Sequence, residues 1–246
     1  MNKENIDEIT HPELKKLYNE KLIIACSEVS KANIEDSFLG NIHSVAYIDK
    51  KTSDLIAINL KRINRNFVHL HDFINLIRID VKDCRFNNLK ISKLPKLKVL
   101  KFLRISEFNN EGLKIEISDL QKLRKIDFHK VGIGSLVINL KNLPDLTELR
   151  LNNVVDLLRL DLFDFPKLKK LTLINCDLKE FTLSKLPELK SLSLKETGSI
   201  EIIDLREFEK IEELILPDLF KCKLKLVFLN KLNKVFPGIT KITYGR

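Results

Sequence analysis

LKKLTLINCDLKEFTLSKLPE, residues Leu168 to Glu188, sets out a pattern that most of the chain repeats. Leu168, Leu171, Leu173 and Cys176 form its first half, and Phe181, Leu183 and Leu186 its second. Leu171-Thr-Leu173 alternates apolar and polar residues, which predicts a strand with one buried face, and Phe181-Thr-Leu183 does the same. The template, L-x-x-L-x-L-x-x-X followed by an alternating apolar pair and a closing Leu-Pro or relative, starts at Leu55, Leu76, Leu97, Leu123, Leu146, Leu168, Leu189, Ile211 and, truncated, Ile239. Successive starts lie 21, 21, 26, 23, 22, 21, 22 and 28 residues apart. A unit this short cannot bury its apolar face alone, so neighbouring units must stack and their strands must form a parallel sheet along one side.

After the first strand and its turn, about a dozen residues remain per unit, too few for a helix with two connections. They alternate again in Val68-His-Leu70, Leu89-Lys-Ile91, Ile115-Glu-Ile117 and Leu136-Val-Ile138, which predicts short extended segments. The unit beginning at Leu97 carries extra residues around Glu107 to Glu111, and an insertion in a stacked array belongs in a loop.

The spacing resembles the leucine-rich repeat family, whose units run about 20 to 29 residues with L-x-x-L-x-L-x-x-N/C-x-L. The resemblance covers Leu55 to Tyr244. It implies an α/β-class, strand-rich solenoid: a right-handed horseshoe with a parallel concave sheet, short extended or 3₁₀ convex segments and an N-terminal capping helix. Residues 1–54 would be the cap, 55–238 the repeats and 239–246 a terminal partial repeat. The ninth position departs from the family's asparagine, carrying Ile63, Cys84, Ile105, Val131, Val154, Cys176, Thr197 and Leu219, so no asparagine ladder is expected.

Ahead of the repeats, Thr10-His-Pro-Glu13 reads as a helix start, with a capping hydroxyl three residues before a glutamate and proline in the first turn. Leu14, Leu17, Tyr18, Leu22, Ala25, Cys26 and Val29 follow at helical spacing and predict an amphipathic helix over about 11–31. Val45-Ala-Tyr47 is an alternating piece that can pair ahead of the first repeat, and Asn230 to Phe236 reads as a short helical turn.

The chemistry is sparse. Four cysteines make no C-x-x-C, and Cys84 and Cys176 fall in the repeat's small inward slot, so core thiols in a reducing compartment are expected. His69, His71 and Asp72 have no third and fourth ligand at metal-site spacing. Gly132-Ile-Gly134 lacks the lysine and further glycine of a phosphate loop. No nucleophile stands ready to pair with His129. The reading is of a non-enzyme with no cofactor and no metal. Met1 to Lys16 is polar and no run is apolar enough to span a bilayer, so a cytoplasmic location is expected. The resemblance to stand-alone bacterial leucine-rich-repeat proteins adds translocation into a host cell.

Charge carries the functional expectation. The second, third, fifth, seventh and eighth positions of each unit face outward on the strand side, and over nine units they hold 17 of the 43 Lys/Arg but 8 of the 34 Asp/Glu. The net formal charge of +9 thus maps to one strip. Arg78, Lys82, Lys101, Leu103, Arg104, Lys125, His129 and Arg150 are the expected partner-binding residues, with Val99, Ile174 and Ile215 as further apolar contacts. The expected role is a monomeric recognition module, an adaptor or bacterial effector, that binds a protein partner with an acidic surface. The alternative is polyanion binding, to nucleic acid or an anionic membrane surface, by the same strip; the strip lacks the interleaved aromatics that stack on bases.

Overall fold

A computed structural model describes residues 12–20, 22–23, 25–29, 44–49, 51–132, 134–157, 159–178, 180–197, 202–216, 226–228 and 241–244. Cys222, Lys179, Leu219 and the helical turn expected at Asn230 to Phe236 lie outside the described residues.

The first halves of the units form strands that stack in chain order into one main sheet. Two leading strands, β1 (Ala25–Val29) and β2 (Val45–Asp49), precede β3 (Leu55–Lys61), β5 (Arg78–Ser92), β6 (Val99–Ser106), β8 (Lys125–Val131), β10 (Glu148–Val154), β12 (Lys170–Ile174), β14 (Ser191–Lys195), β16 (Glu213–Leu216) and β18 (Lys241–Tyr244). From β3 onward every pairing is parallel. The partners Ala57↔Arg78, Arg78↔Val99, Val99↔Lys125, Lys125↔Glu148, Glu148↔Lys170, Lys170↔Ser191, Ser191↔Glu213 and Glu213↔Lys241 reproduce each interval of the sequence repeat in order. The molecule is a strand-rich parallel β-solenoid of about 7 turns with almost no helix.

The second halves are strands too, and they stack as a second parallel sheet. They comprise β4 (Asn64–Leu70), the far half of β5, β7 (Leu113–Ser118), β9 (Leu136–Lys141), β11 (Arg159–Phe163), β13 (Glu180–Ser184), β15 (Ile202–Asp204) and β17 (Leu226–Phe228). The extended segments expected on this side are thus hydrogen-bonded to their neighbours. This sheet is discontinuous: β4, β5, β7 and β9 form one ladder, β11 and β13 a second, and β15 and β17 a third.

Corners between the halves are built from left-handed residues. Arg62, Asp83, Arg104, Lys130, Asn153, Asn175 and Glu196 close the first strands with φ of 50 to 57°. Asp72, Lys93, Asp119, Asn142, Asp164 and Lys185 close the second with φ of 52 to 64°. A third corner is a β-turn in which Leu94, Leu120, Leu143, Phe165, Leu186 and Leu205 accept from the amide three residues on, at 3.1 to 3.2 Å. Pro95, Pro144, Pro166 and Pro187 occupy its second position, where a fixed φ fits and no amide is needed.

Inward residues from both sheets fill one continuous core, in which Leu97, Leu100, Ile115, Ile126, Leu149, Leu171 and Leu192 are fully buried and Phe102 stacks on Phe128 with centroids 4.6 Å apart. Each such side chain contributes about 1.5–3 kcal/mol of hydrophobic stabilisation. Without asparagines, the ninth positions rely on backbone and thiol partners. Arg85 N donates to Ile63 O at 2.8 Å, Gly132 N to Ile105 O at 2.9 Å and Val155 N to Val131 O at 3.2 Å. Cys84 Sγ donates to Lys82 O at 3.1 Å, Cys176 Sγ to Ile174 O at 3.4 Å and Thr197 Oγ1 to Leu194 O at 2.6 Å.

The N-terminal helix is shorter than its sequence pattern predicts. Helix α1 spans Pro12–Asn19, and Ala25–Val29 forms β1 instead, parallel to β2. The stretch from Leu22 to Val29 supports either period, and its β-branched residues beside the free edge of β2 settle it as a strand. Leu14, Leu17, Leu22 and Ile23 join the main core. Strand β2 pairs ahead of the first repeat as expected, antiparallel to β3. The insertion in the third unit, which begins at Leu97, stays at a corner between β6 and β7, held where Asn87, itself buried, accepts from Phe108 N at 3.0 Å and donates to Glu111 at 2.6 Å. Among the described residues no helix is long and apolar enough to cross a membrane.

Candidate interaction face

Outward positions of the main sheet divide into two regions. At the N-terminal end the sheet is covered on both sides: Val45, Tyr47, Ile56, Ala57 and Ile77 form a second buried cluster, separate from the main core. Arg78, which the repeat pattern places on the open strip, lies here and is 0 % exposed. Its Nε and Nη2 donate to the two carboxylate oxygens of Asp80, each at 2.8 Å. Arg78 is therefore a buried structural cation and not a partner contact, which corrects the sequence expectation. Val99, 7 % exposed, is likewise withdrawn from the surface. The pattern identifies the side of the sheet a residue occupies and carries no information on what covers that side.

From β6 onward the face opens. Parallel pairing aligns equivalent positions on adjacent strands about 4.8 Å apart. The seventh positions give a row Leu103, His129, Asn152, Ile174 and Lys195, all half-buried. Beyond the buried Asp80, the fifth positions give Lys101, Asp127 and Arg150, alternating in sign. The strip is thus basic in sum but not uniformly so. Burial, followed by the Arg78 guanidinium, holds the Lys101 ammonium below the usual lysine range. Lys125 donates to Glu148 at 2.9 Å, and Arg104 pairs with Asp83. Lys82 is half-buried and takes part in interactions within the protein. Of the expected site residues, Leu103, His129 and Arg150 remain as a half-exposed group in the middle of the face, with exposed Lys130 and Lys170 beside them.

Among the described residues the other two histidines are locally satisfied. His69 meets Ser92 at 3.0 Å, His71 pairs with Asp72, and the two rings lie 4.2 Å apart. Among the described residues no three His, Cys, Asp or Glu side chains are grouped to hold a metal ion. No family model, curated protein or solved structure matches this chain.

Proposed function

We propose that this chain is a non-catalytic recognition module of leucine-rich-repeat type that binds an acidic protein surface through the open middle of its main sheet. Helix α1, whose Leu14 and Leu17 reach the core, serves in this reading as the cover of the first coil. The observation that carries the proposal is the row Leu103, His129, Asn152 and Ile174 bordered by Arg150, Lys130 and Lys170. These side chains project from hydrogen-bonded strands, so little conformational freedom is lost when a partner engages them. A row that mixes apolar and polar residues, with cations at its margin, matches the composition of a protein interface. The interleaved Asp127 and Glu148 favour a patterned protein partner over a uniform polyanion.

Poly-L-glutamate provides a defined acidic probe. Its addition should perturb the amides of Leu103, His129 and Arg150, and the pair Arg150→Gln and Lys170→Gln should weaken binding. Neutral replacements avoid placing like charges beside Asp127 and Glu148. Lys90→Gln with Lys122→Gln, the same charge change away from the face, should leave binding unaltered. Equal losses from both pairs would assign the effect to net charge alone. Tighter binding of polyuridylic acid or phosphatidylserine vesicles, with a steep salt dependence, would assign the face to a polyanion.

A further inference from the structure

Strand β4 carries a run of rings on one side. Phe67, His69 and His71 occupy alternate positions at its end and just past it, so they leave the second sheet outward, while Val68 and Leu70 between them enter the main core. Phe67 meets His69 edge-on with centroids 6.2 Å apart, and His69 lies 4.2 Å from His71. Phe67 is 58 % exposed, so its ring is open to solvent. His69 bonds Ser92 through Nε2 and His71 bonds Asp72 through Nδ1, which leaves the other nitrogen of each imidazole to a ligand.

Cations surround this row. Exposed Arg85 pairs in register with Asn64 where β4 begins, and Lys90 pairs in register with His69. Exposed Lys93 stands at the corner beyond, where its carbonyl accepts from Asp72 N at 3.3 Å. None of these three makes an ion pair among the described residues. Lys16 of α1 reaches the same end and donates to His71 O at 3.4 Å. The neighbouring carboxylates are already engaged: Asp72 by His71, Glu116 by Lys114 at 2.7 Å and Asp119 by Asn142 at 2.8 Å. Burial, then His71, Lys90 and Lys16, hold the His69 imidazole below the usual histidine range, with Asp72 opposing them. The charges acting on that ring are thus mainly positive.

The interleaved aromatics that the main-sheet strip lacks stand here among cations. Open ring faces stack on bases, and cations beside them hold the phosphates that link those bases. A duplex keeps its base faces covered, so the single-stranded form is the complement. We infer that this flank of β4 binds single-stranded nucleic acid, with a base stacked on Phe67 and the adjoining phosphates held by Arg85, Lys90 and Lys93. Ring faces and phosphates carry little sequence information, so binding is expected to tolerate most sequences. The site lies on the other sheet from the proposed main-sheet face and stands independently of it.

Fluorescence anisotropy of the full chain with labelled decauridylate tests the inference. Phe67→Leu, an exposed substitution that keeps an apolar side chain and removes the ring, should weaken binding about tenfold, whereas Phe67→Tyr should bind like the parent. Lys90→Gln with Lys93→Gln should flatten the dependence of log Kd on log salt by about one to two. On addition of the oligonucleotide the amides of His69 and Lys90 should shift while those of His129 and Arg150 stay in place. Shifts at His129 and Arg150 instead would move the nucleic acid to the main sheet and end the proposal. Failure of decauridylate to bind, or a Phe67→Leu variant that binds like the parent, would do the same.

Discussion

Arg78 and Asp80 form a two-pronged ion pair on adjacent outward positions of one strand, with both side chains removed from solvent. Desolvating two charges is repaid here by two short, aligned hydrogen bonds, and removing Arg78 leaves the Asp80 carboxylate in a dry site without them. Asp80→Asn or Arg78→Met alone should lower stability by about 3–5 kcal/mol, whereas Arg78→Met with Asp80→Leu should cost much less. Urea midpoints of the three variants decide it. A single substitution as mild as the double would show that the pair is solvated.

The left-handed corners make a prediction of opposite sign at a surface residue. Lys130 is exposed with φ of 54°, a conformation that costs a residue with a side chain about 1–2 kcal/mol. Lys130→Gly relieves that cost and should raise the urea midpoint, while Lys130→Ile, β-branched, should lower it. A midpoint unchanged in both would mean that the corner relaxes freely.

Gly132, two residues further on, has no such latitude. Its φ is 97°, and a Cβ there would meet Val155 O at 2.4 Å. Because the obstacle is backbone of the adjacent coil, Gly132→Ala should destabilise by about 2–3 kcal/mol or more. Gly134 also has positive φ, 88°, but its Cβ would meet the carboxylate of Glu107, the far end of a side chain. Gly134→Ala should therefore be the milder of the two by thermal melting.

Burial pushes the thiol of Cys84 up to about 12 and that of Cys176 up to about 11, from an ordinary value of 9.0. Above pH 9 the unfolded chain loses thiol protons that the folded chain retains. The thiol contribution is thus fully present below the ordinary value and is lost as pH rises, by at most about 1.4 kcal/mol per pH unit for each thiol. Urea stability measured from pH 8 to 11 should fall less steeply for Cys84→Val with Cys176→Val than for the parent. At neutral pH both thiols should label slowly in the native protein, and fast labelling would contradict their inward placement.

The repeat was legible because its signal is spacing: an apolar position every 21 to 28 residues translates directly into which strand residues pair, from Ala57↔Arg78 to Glu213↔Lys241. The insertion after Glu107 was legible for the same reason. Residues 20–29 were not, since Leu22, Ile23 and Val29 satisfy two periods and the free edge of β2 is a tertiary fact. The candidate face was half legible. Register put Arg150 and His129 on the correct side, but whether Arg78 sees solvent is decided by tertiary packing that the repeat spacing does not encode. The break between β9 and β11 left no trace, because a one-residue change of register near Leu157 looks like ordinary variation in unit length.

The main sheet runs unbroken from β3 to β18, while the second is cut between β9 and β11. Mechanically this is a beam notched on one flank. Bending that opens the notch strains no ladder on that side, and the continuous sheet opposite acts as the flexing leaf. Elastic compliance along the solenoid therefore concentrates at the breaks in the second sheet, one of them in the coil that joins Leu136 to Phe163. Load applied to the ends of the stack is felt there as a change in the spacing of β9 and β11.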